Sequence, residues 1–220
     1  MRRGPTFAVG TPSQSSCRGR FLGLPRKGYR RQAERLRSFD YAAPGAYFIT
    51  VSSWNRQESL GEVMDEGVKL SDEGRIVGEA WLALPRHYPS LALDSFVVMP
   101  NHVHGILVLG DVGAGFKPAP TVAAGRSPRR HAIPEIVRAF KTFSARQINV
   151  RRQSVGRHVW QRGYYDHVVR DDRDLGRIRG YILTNPLRWS MDQENPLRTE
   201  ADPFDSWLSG QGSPVPSMGS

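Results

Sequence analysis

Residues 94–109 have the sequence DSFVVMPNHVHGILVL, in which two apolar runs are separated by Met-Pro-Asn. The runs are rich in β-branched residues, which favour strands, and proline followed by asparagine suits the centre of a tight turn. The stretch therefore predicts an antiparallel hairpin with strands over 91–99 and 103–109. It also places two imidazoles, His102 and His104, at the start of an otherwise apolar strand.

The spacing of apolar residues elsewhere predicts the remaining elements. The order is β-α-β-β-α-β followed by a last helix, if a short hairpin over 57–70 is set aside. This order is typical of an α+β, ferredoxin-like fold, in which an antiparallel sheet carries helices on one face. We expect the other face to be free for binding. The predicted elements are strands over 45–54 and 164–169 and helices from Ser71 to near Pro85, over 133–150 and over 171–185. The core side of the 133–150 helix is predicted to carry Ile133, Ile136, Val137, Phe140 and Phe143.

The net charge of +10 comes almost entirely from the first 37 residues, which hold ten arginines and lysines and one glutamate. These residues are also rich in Gly, Pro and Ser, so we expect a flexible basic arm over 1–37. Such an arm either contacts a polyanion, because each phosphate contact releases counterions, or acts as a solubilising tail. We expect the folded domain to cover 38–196, with a long loop over 110–131, and 197–220 to be a poorly ordered tail.

The composition excludes several classes of protein. No apolar run approaches the ~20 residues that a membrane span needs, and the first residues lack the apolar core of a secretory signal. The single cysteine, Cys17, excludes an intramolecular disulfide and a multi-cysteine zinc site. We therefore expect a cytoplasmic protein without a membrane partner.

The two strand histidines are the first candidate for chemistry. Side chains alternate along a strand, so His102 and His104 project to one side and Val103 projects into the core. Two imidazoles on one side of a strand suit adjacent positions around a metal ion. The alternative is that one imidazole caps the turn and the other is solvated.

The last helix carries the second candidate. Tyr181 and Asn185 are four residues apart and share a helical face, and Arg177 lies one turn earlier. The tyrosine is either a packing residue or a nucleophile.

A third stretch, HVWQRGYYDHVVR over 158–170, mixes aromatic and basic residues. Trp160, Tyr164 and Tyr165 either stack nucleic-acid bases, with neighbouring arginines on phosphates, or form an aromatic edge of the core.

Taken together, FVVMPNHVHGILVL, VWQRGYYDHVVRD and YILTNP closely resemble the HUH single-tyrosine transposases, and in particular their REP-associated tyrosine transposase branch. RLRSFDYAAPGAYFITVSS and RIVGEAW extend the resemblance, which covers about 35–196.

The resemblance implies a role for each matching residue. His102 and His104 would bind a divalent metal, Mg²⁺ or Mn²⁺, and Asn185 would help to complete that site. Tyr181 would be the nucleophile. The implied reaction is cleavage and rejoining of single-stranded DNA beside a folded hairpin, through a 5′-phosphotyrosine and a free 3′-hydroxyl. The candidate phosphate contacts are Arg138, Lys141, Arg162 and Arg177.

Several alternatives stay open from the sequence. The protein could instead be a non-catalytic module that binds structured single-stranded nucleic acid, or a histidine-ligated metal hydrolase, although neither has a use for Tyr181. The general base is either water near the metal or His167. Because imidazoles are softer donors than Mg²⁺ prefers, Mn²⁺ should serve at least as well. Relatives act as monomers or as homodimers.

Overall fold

The computed structural model describes residues 39–65, 67–110 and 130–210. The predicted basic arm and most of the predicted long loop lie outside these residues. Among the described residues, no helix combines the length and apolarity that crossing a membrane requires. The strands are β1 (Gly45–Ser52), β2 (Gly61–Met64), β3 (Gly67–Leu70), β4 (Leu91–Val98), β5 (His102–Leu109) and β6 (Tyr165–Val168). The helices are α1 (Asp72–Leu82), α2 (Leu84–His87), α3 (Ile133–Arg151), α4 (Asp172–Thr184) and α5 (Pro203–Gly210).

The main sheet confirms the predicted ferredoxin-like α+β fold. Its four strands lie in the order β4-β5-β1-β6, and every neighbouring pair is antiparallel. β4 and β5 form the predicted hairpin, with the turn at Pro100 and Asn101. The register of the central pair places Ser52, at the end of β1, opposite His102, at the start of β5. β2 and β3 form a separate hairpin, also as predicted.

One face of the sheet contacts the larger core. Ile49 and Val103 point to this face, where Trp81 of α1 and Phe140 of α3 pack against each other. All four side chains are almost fully buried. The sequence therefore placed Val103 correctly on the core side of its strand.

The opposite face is covered rather than free, contrary to our expectation. Phe48 of β1 and Ile106 of β5 point to it, and they pack in a second apolar cluster with Ile178 of α4 and Phe204 of α5. This cluster exists because the last predicted helix and the chain after it fold back over the sheet. The histidine side of β5 is thus an interior surface.

The predicted poorly ordered tail is wrong for residues 203–210, which form α5. Phe204 and Leu208 of this helix are buried. The ring of Phe204 stacks on that of Tyr181, with 3.9 Å between centroids and 8° between planes. The apolar residues of α5 are isolated in the sequence, and they find apolar residues to pack against only in the folded chain.

Phe143 is a second correction. Its side chain is 44% exposed, whereas the other residues predicted for the core side of α3 are buried. Its ring stacks on that of His87, with 5.6 Å between centroids. Phe143 therefore packs at the rim of the α3 interface.

A local cap and one long-range ion pair define where α4 begins and where it contacts the sheet. Asp171 caps its N-terminus by accepting hydrogen bonds from the backbone N–H groups of Arg173 and Asp174. Arg179 makes a two-point ion pair with Asp94 of β4, with N–O distances of 2.9 and 2.6 Å. These contacts fix the helix against the sheet.

We predict that Gly105→Ala destabilises the protein by about 1–3 kcal/mol, because the added methyl group overpacks a full core. A Cβ at Gly105 would lie 2.4 Å from Trp81 Cζ2 and 3.0 Å from Phe96 Cβ. Urea denaturation measures the free energy of unfolding. The matched control is Gly176→Ala in α4, where a Cβ meets nothing within 4 Å, and we expect it to stabilise the helix by about 0.5–1 kcal/mol. Equal effects of the two substitutions would contradict the packing described here.

Candidate metal and nucleophile site

The two strand histidines lie side by side beneath the second apolar cluster. His102 is 0% exposed and His104 is 1% exposed, and their ring centroids are 4.3 Å apart. The shared side follows from strand alternation, as the sequence predicted. Neither imidazole is solvated, so the alternative of a solvated histidine is wrong.

Asn101 fixes the tautomer of His102. The Asn101 amide nitrogen donates to the backbone carbonyls of Glu194 and Arg56, at 2.9 and 3.3 Å. Its amide oxygen therefore faces His102 Nδ1, 2.8 Å away. Because a carbonyl oxygen only accepts, Nδ1 carries the proton and Nε2 presents its lone pair. This Nε2 is buried and makes no hydrogen bond to any described residue, so it is available as a ligand.

His104 is held by a hydroxyl on the neighbouring strand. Its Nδ1 lies 2.8 Å from Thr50 Oγ1. A hydroxyl both donates and accepts, so Thr50 suits either tautomer. His104 Nε2 points toward Tyr181, whose hydroxyl oxygen is 3.2 Å away. A ligand role requires the tautomer with the proton on Nδ1, which Thr50 permits.

Helix α4 brings Tyr181 to the histidines. The Tyr181 hydroxyl donates to Asp192 Oδ2, at 3.0 Å, in addition to its contact with His104. The side chain is only 3% exposed, with Phe204 stacked on its ring. The hydroxyl is therefore covered in this structure. The sequence predicted the meeting of Tyr181 with the histidines but not its burial.

Asp192 is the residue of the site that sequence reasoning missed. Its Oδ2 lies 3.8 Å from His102 Nε2 and 3.6 Å from His104 Nε2, and the carboxylate is fully buried. The chain reaches this point because Pro186–Met191 forms two irregular 3-10 turns after α4. Nothing in the local sequence marks this aspartate. The only signal was indirect. The predicted ligands, two imidazoles and an amide, are all neutral, so a divalent cation would still need a carboxylate from elsewhere in the chain.

Asn185 contacts the same carboxylate. Its amide nitrogen donates to Asp192 Oδ2 at 2.6 Å. Its amide oxygen is buried and makes no hydrogen bond to the described residues. Asn185, which the sequence placed on the same helical face as Tyr181, is therefore in the cluster, where its direct contact is with Asp192.

These residues fit a divalent cation. One donor atom from each of His102, His104 and Asp192 lies within 4.8 Å of the others. Neighbouring ligands around a small divalent ion are roughly 3.0–3.4 Å apart, as metal–ligand distances near 2.1 Å imply, so a small contraction would complete the site. Two imidazoles with one carboxylate suit Mn²⁺ better than Mg²⁺.

Burial sets the protonation states at the centre of the site. It lowers the pKa of His102 to about 3, so this imidazole is neutral and able to ligate. Burial, reinforced by the nearby Asp192 carboxylate, raises the pKa of Tyr181 well above its usual value, so the phenol keeps its proton at neutral pH. Burial alone would raise the pKa of Asp192, but His102, His104 and Asn185 lower it by more, so its carboxylate is ionised.

A polar clamp holds the Asp192 turn against the sheet. Glu194 pairs with Arg56 at 3.2 Å and accepts a hydrogen bond from Ser52 Oγ at 3.0 Å. Asn101 donates to the Glu194 carbonyl, as described above. The backbone N–H of Glu194 also donates to Asp192 Oδ1 at 2.6 Å. The same few groups therefore position both the first histidine and the aspartate.

Among the described residues, none of the four predicted phosphate contacts hydrogen-bonds or ion-pairs with His102, His104, Tyr181 or Asp192. Arg138 and Arg162 are exposed. The Lys141 ammonium donates to the carbonyls of Gln161 and Gly163, at 2.6 and 2.8 Å, so it holds a loop. Arg177 is exposed and its guanidinium lies 5.4 Å from the ring centroid of Trp207, which packs on Phe204 beside Tyr181.

His167 does not reach the tyrosine hydroxyl. Its Nε2 lies 3.9 Å from Asp174 Oδ2, at the N-terminal end of α4. The hydrogen-bond partners of the Tyr181 hydroxyl are His104 and Asp192. His167, one of the two candidates for general base from the sequence, is therefore not among the described groups that contact the Tyr181 hydroxyl.

Known proteins are similar in sequence to this chain over two thirds of its length or more. An uncharacterized protein of Haemophilus influenzae is 34% identical over 169 residues, which cover 75% of this chain and 93% of that protein. A second H. influenzae protein, provisionally named a REP-associated tyrosine transposase, is 25% identical over 68% of this chain and 74% of its own length. The REP-associated tyrosine transposase of Escherichia coli is 22% identical over 67% and 70%.

A solved structure of a REP-associated tyrosine transposase bound to a REP hairpin covers 66% of this chain and 68% of that one, with a TM-score of 0.47 and 20% identity. No family model matches the chain. By its similarity in sequence to these named relatives, the chain is an HUH tyrosine transposase. This chain belongs to the REP-associated tyrosine transposases within that class.

We predict that Asn101→Ala weakens Mn²⁺ binding about 10–100-fold, the usual effect of losing a group that orients a ligand. Isothermal titration calorimetry measures the affinity. In the metal-free protein, ¹⁵N chemical shifts should change from a single Nδ1-protonated form of His102 to a mixture. Asn149→Ala is the matched control, because it also removes a hydrogen bond from a side-chain amide to a backbone carbonyl, here that of Arg157. An unchanged affinity together with an unchanged tautomer would show that Asn101 does not orient His102.

Proposed function

We propose that the protein is a metal-dependent single-stranded DNA endonuclease and strand transferase with Tyr181 as its nucleophile. The observation that carries the proposal is the position of the Tyr181 hydroxyl, 3.2 Å from His104 Nε2 and 3.0 Å from Asp192 Oδ2. A tyrosine that only packs in the core has no need of a histidine pair and a buried carboxylate at its hydroxyl. Family membership supports the same reaction.

The proposed substrate is single-stranded DNA beside a hairpin. Relatives of this chain carry the name REP-associated tyrosine transposase. We therefore assign a REP-like DNA hairpin as the substrate. The net charge of +10 favours a polyanionic partner. A role of the basic arm in binding the DNA backbone stays a prediction from the sequence, as do a cytoplasmic location and action as a monomer or a homodimer.

The chain's own residues support an in-line displacement. The Tyr181 oxygen would attack the scissile phosphorus, forming a 5′-phosphotyrosine as the bond to the 3′-oxygen breaks and leaves a 3′-hydroxyl. Asp192 Oδ2 accepts the phenol hydrogen bond and would thereby orient the Tyr181 oxygen for attack. The phenol proton passes to solvent, and the departing 3′-oxygen takes a proton from solvent. The covalent link conserves the phosphodiester energy, so the reverse attack by a 3′-hydroxyl rejoins strands.

His102, His104 and Asp192 would hold the cation. The amide oxygen of Asn185, which makes no hydrogen bond to the described residues, would be a further ligand. When bound, a divalent ion polarises the non-bridging phosphate oxygens and offsets the charge that develops on them. The neutral state of His102, which burial favours, keeps its lone pair available for ligation without competition from a proton.

We predict that Tyr181→Phe abolishes covalent attachment to DNA and leaves hairpin affinity within about twofold, because only the attacking oxygen is removed. A denaturing gel of protein mixed with labelled hairpin DNA, with Mn²⁺, Mg²⁺ or EDTA, detects the adduct. Tyr164→Phe is the matched control and should retain the metal-dependent adduct. If the Tyr181 variant still forms the adduct, the nucleophile lies elsewhere. Tight hairpin binding without an adduct in the wild type would indicate a binding module.

We predict that Asp192→Asn lowers Mn²⁺ affinity on the order of 100-fold, because the site loses its one charged ligand. Calorimetry on the DNA-free protein measures this affinity separately from activity. Asp174→Asn is a suitable control, since Asp174 is also a largely buried acid of the same region but faces His167. Equal Mn²⁺ affinity in wild type and Asp192→Asn would remove Asp192 from the metal site.

A further inference from the structure

A groove of about 470 Å³ lies on the other side of the sheet from Tyr181. It runs between α3 and the segment 157–164, with Val137 and Trp160 among its lining residues. Its volume is within the range of sites that bind small ligands. The proposed reaction uses none of its residues.

The groove is cationic. Arg138, Lys141 and Arg157 line it, and no acidic side chain is among the described residues that do so. The two arginines are exposed, so their guanidinium groups are available to a ligand. A groove with this charge favours a phosphate group.

The walls of the groove are fixed before any ligand binds. The Lys141 ammonium bonds to the carbonyls of Gln161 and Gly163, which ties the segment 157–164 to α3. The Trp160 indole N–H donates to Ser144 Oγ at 2.9 Å, so its ring is fixed as well. Burial lowers the pKa of Lys141 to about 8, which leaves most of this ammonium charged at neutral pH. A rigid site loses little entropy on binding.

An aromatic platform borders the groove. His158, one of its lining residues, stacks on Trp54 with 4.5 Å between ring centroids and 30° between planes. Trp54 is 36% exposed and His158 is also exposed. Stacked, exposed aromatic rings beside cations are the surface on which an unpaired base stacks.

The groove is connected to the histidine pair through the end of β1. Ser53 pairs with Trp160 in an isolated bridge, and Ser52, the preceding residue, pairs with His102. The Ser53 N–H also donates to the Asn101 carbonyl. The wall of the groove that Trp160 forms therefore lies beside the end of the sheet that carries the histidines.

We propose that this groove binds one unpaired nucleotide of the single-stranded DNA that flanks the hairpin. Arg138 and Arg157 would contact its phosphate, and its base would stack against the Trp54–His158 pair. The assignment rests on the proposed function for its substrate and adds a second point at which the strand is held. A nucleotide held here would set which phosphate lies over Tyr181.

The test is equilibrium binding in EDTA with Tyr181→Phe protein, so that neither cleavage nor the metal contributes. Three labelled DNAs are compared: a blunt hairpin, the hairpin with a single-stranded extension, and the hairpin with an abasic extension. We expect Arg138→Gln with Arg157→Gln to weaken binding of the extended hairpin on the order of tenfold. The slope of log affinity against log salt should fall by about 1.4, since each lost contact to a single strand contributes about 0.7.

The blunt hairpin should lose less than twofold in the same variant, and Trp54→Ala should weaken only the extension that carries bases. Arg146→Gln with Arg173→Gln is the matched control, since both arginines are exposed and neither lines the groove. Equal losses on blunt and extended hairpins, or no loss on either, would overturn the assignment. The adduct assay with Tyr181 intact is independent of these measurements, so failure of the proposed reaction would be recognised separately.

Discussion

The site depends on the contacts that compensate for burial of the Asp192 carboxylate. An ionised carboxylate inside a protein is costly unless hydrogen bonds and charges compensate for lost water. Here Tyr181 and Asn185 donate to it, and both histidine Nε2 atoms lie within 4 Å. The carboxylate thus gathers the nucleophile, the amide and the two imidazoles around one point. The same demand for compensation explains why a divalent cation, rather than a proton, suits the centre of this cluster.

Alternation of side chains along β5 places core residues on one face of the sheet and the two histidines of the site on the other. On β5, Val103 and Gly105 face the core of α1 and α3, where the indole of Trp81 leaves no space for a side chain on the glycine. His102 and His104 face the other way. Because Asn101 links His102 to the turn that carries Asp192, the geometry of the site is fixed at the point where the two strands of the hairpin meet.

The sequence predicted those parts of the structure that follow from local periodicity. Period-two alternation placed His102 and His104 on one side of a strand, and a four-residue helical spacing placed Tyr181 with Asn185. Asp192 was not predictable in this way, because it lies beyond a proline, in irregular turns whose path depends on tertiary contacts with Glu194 and the sheet. α5 was missed for a related reason, since its apolar residues gain a partner only once α4 is packed. Lys141 looked like a surface cation, and only the fold supplies the two carbonyls that it binds.

In the function proposed above, one divalent cation binds between the histidines and Asp192, beneath the Tyr181 hydroxyl. The most direct measurement is the anomalous difference density of a crystal grown with Mn²⁺. We expect a single strong peak about 2.0–2.3 Å from His102 Nε2, His104 Nε2 and an Asp192 carboxylate oxygen. Strong Mn²⁺ density elsewhere on the protein, with this cluster empty and its hydrogen bonds unchanged, would contradict it.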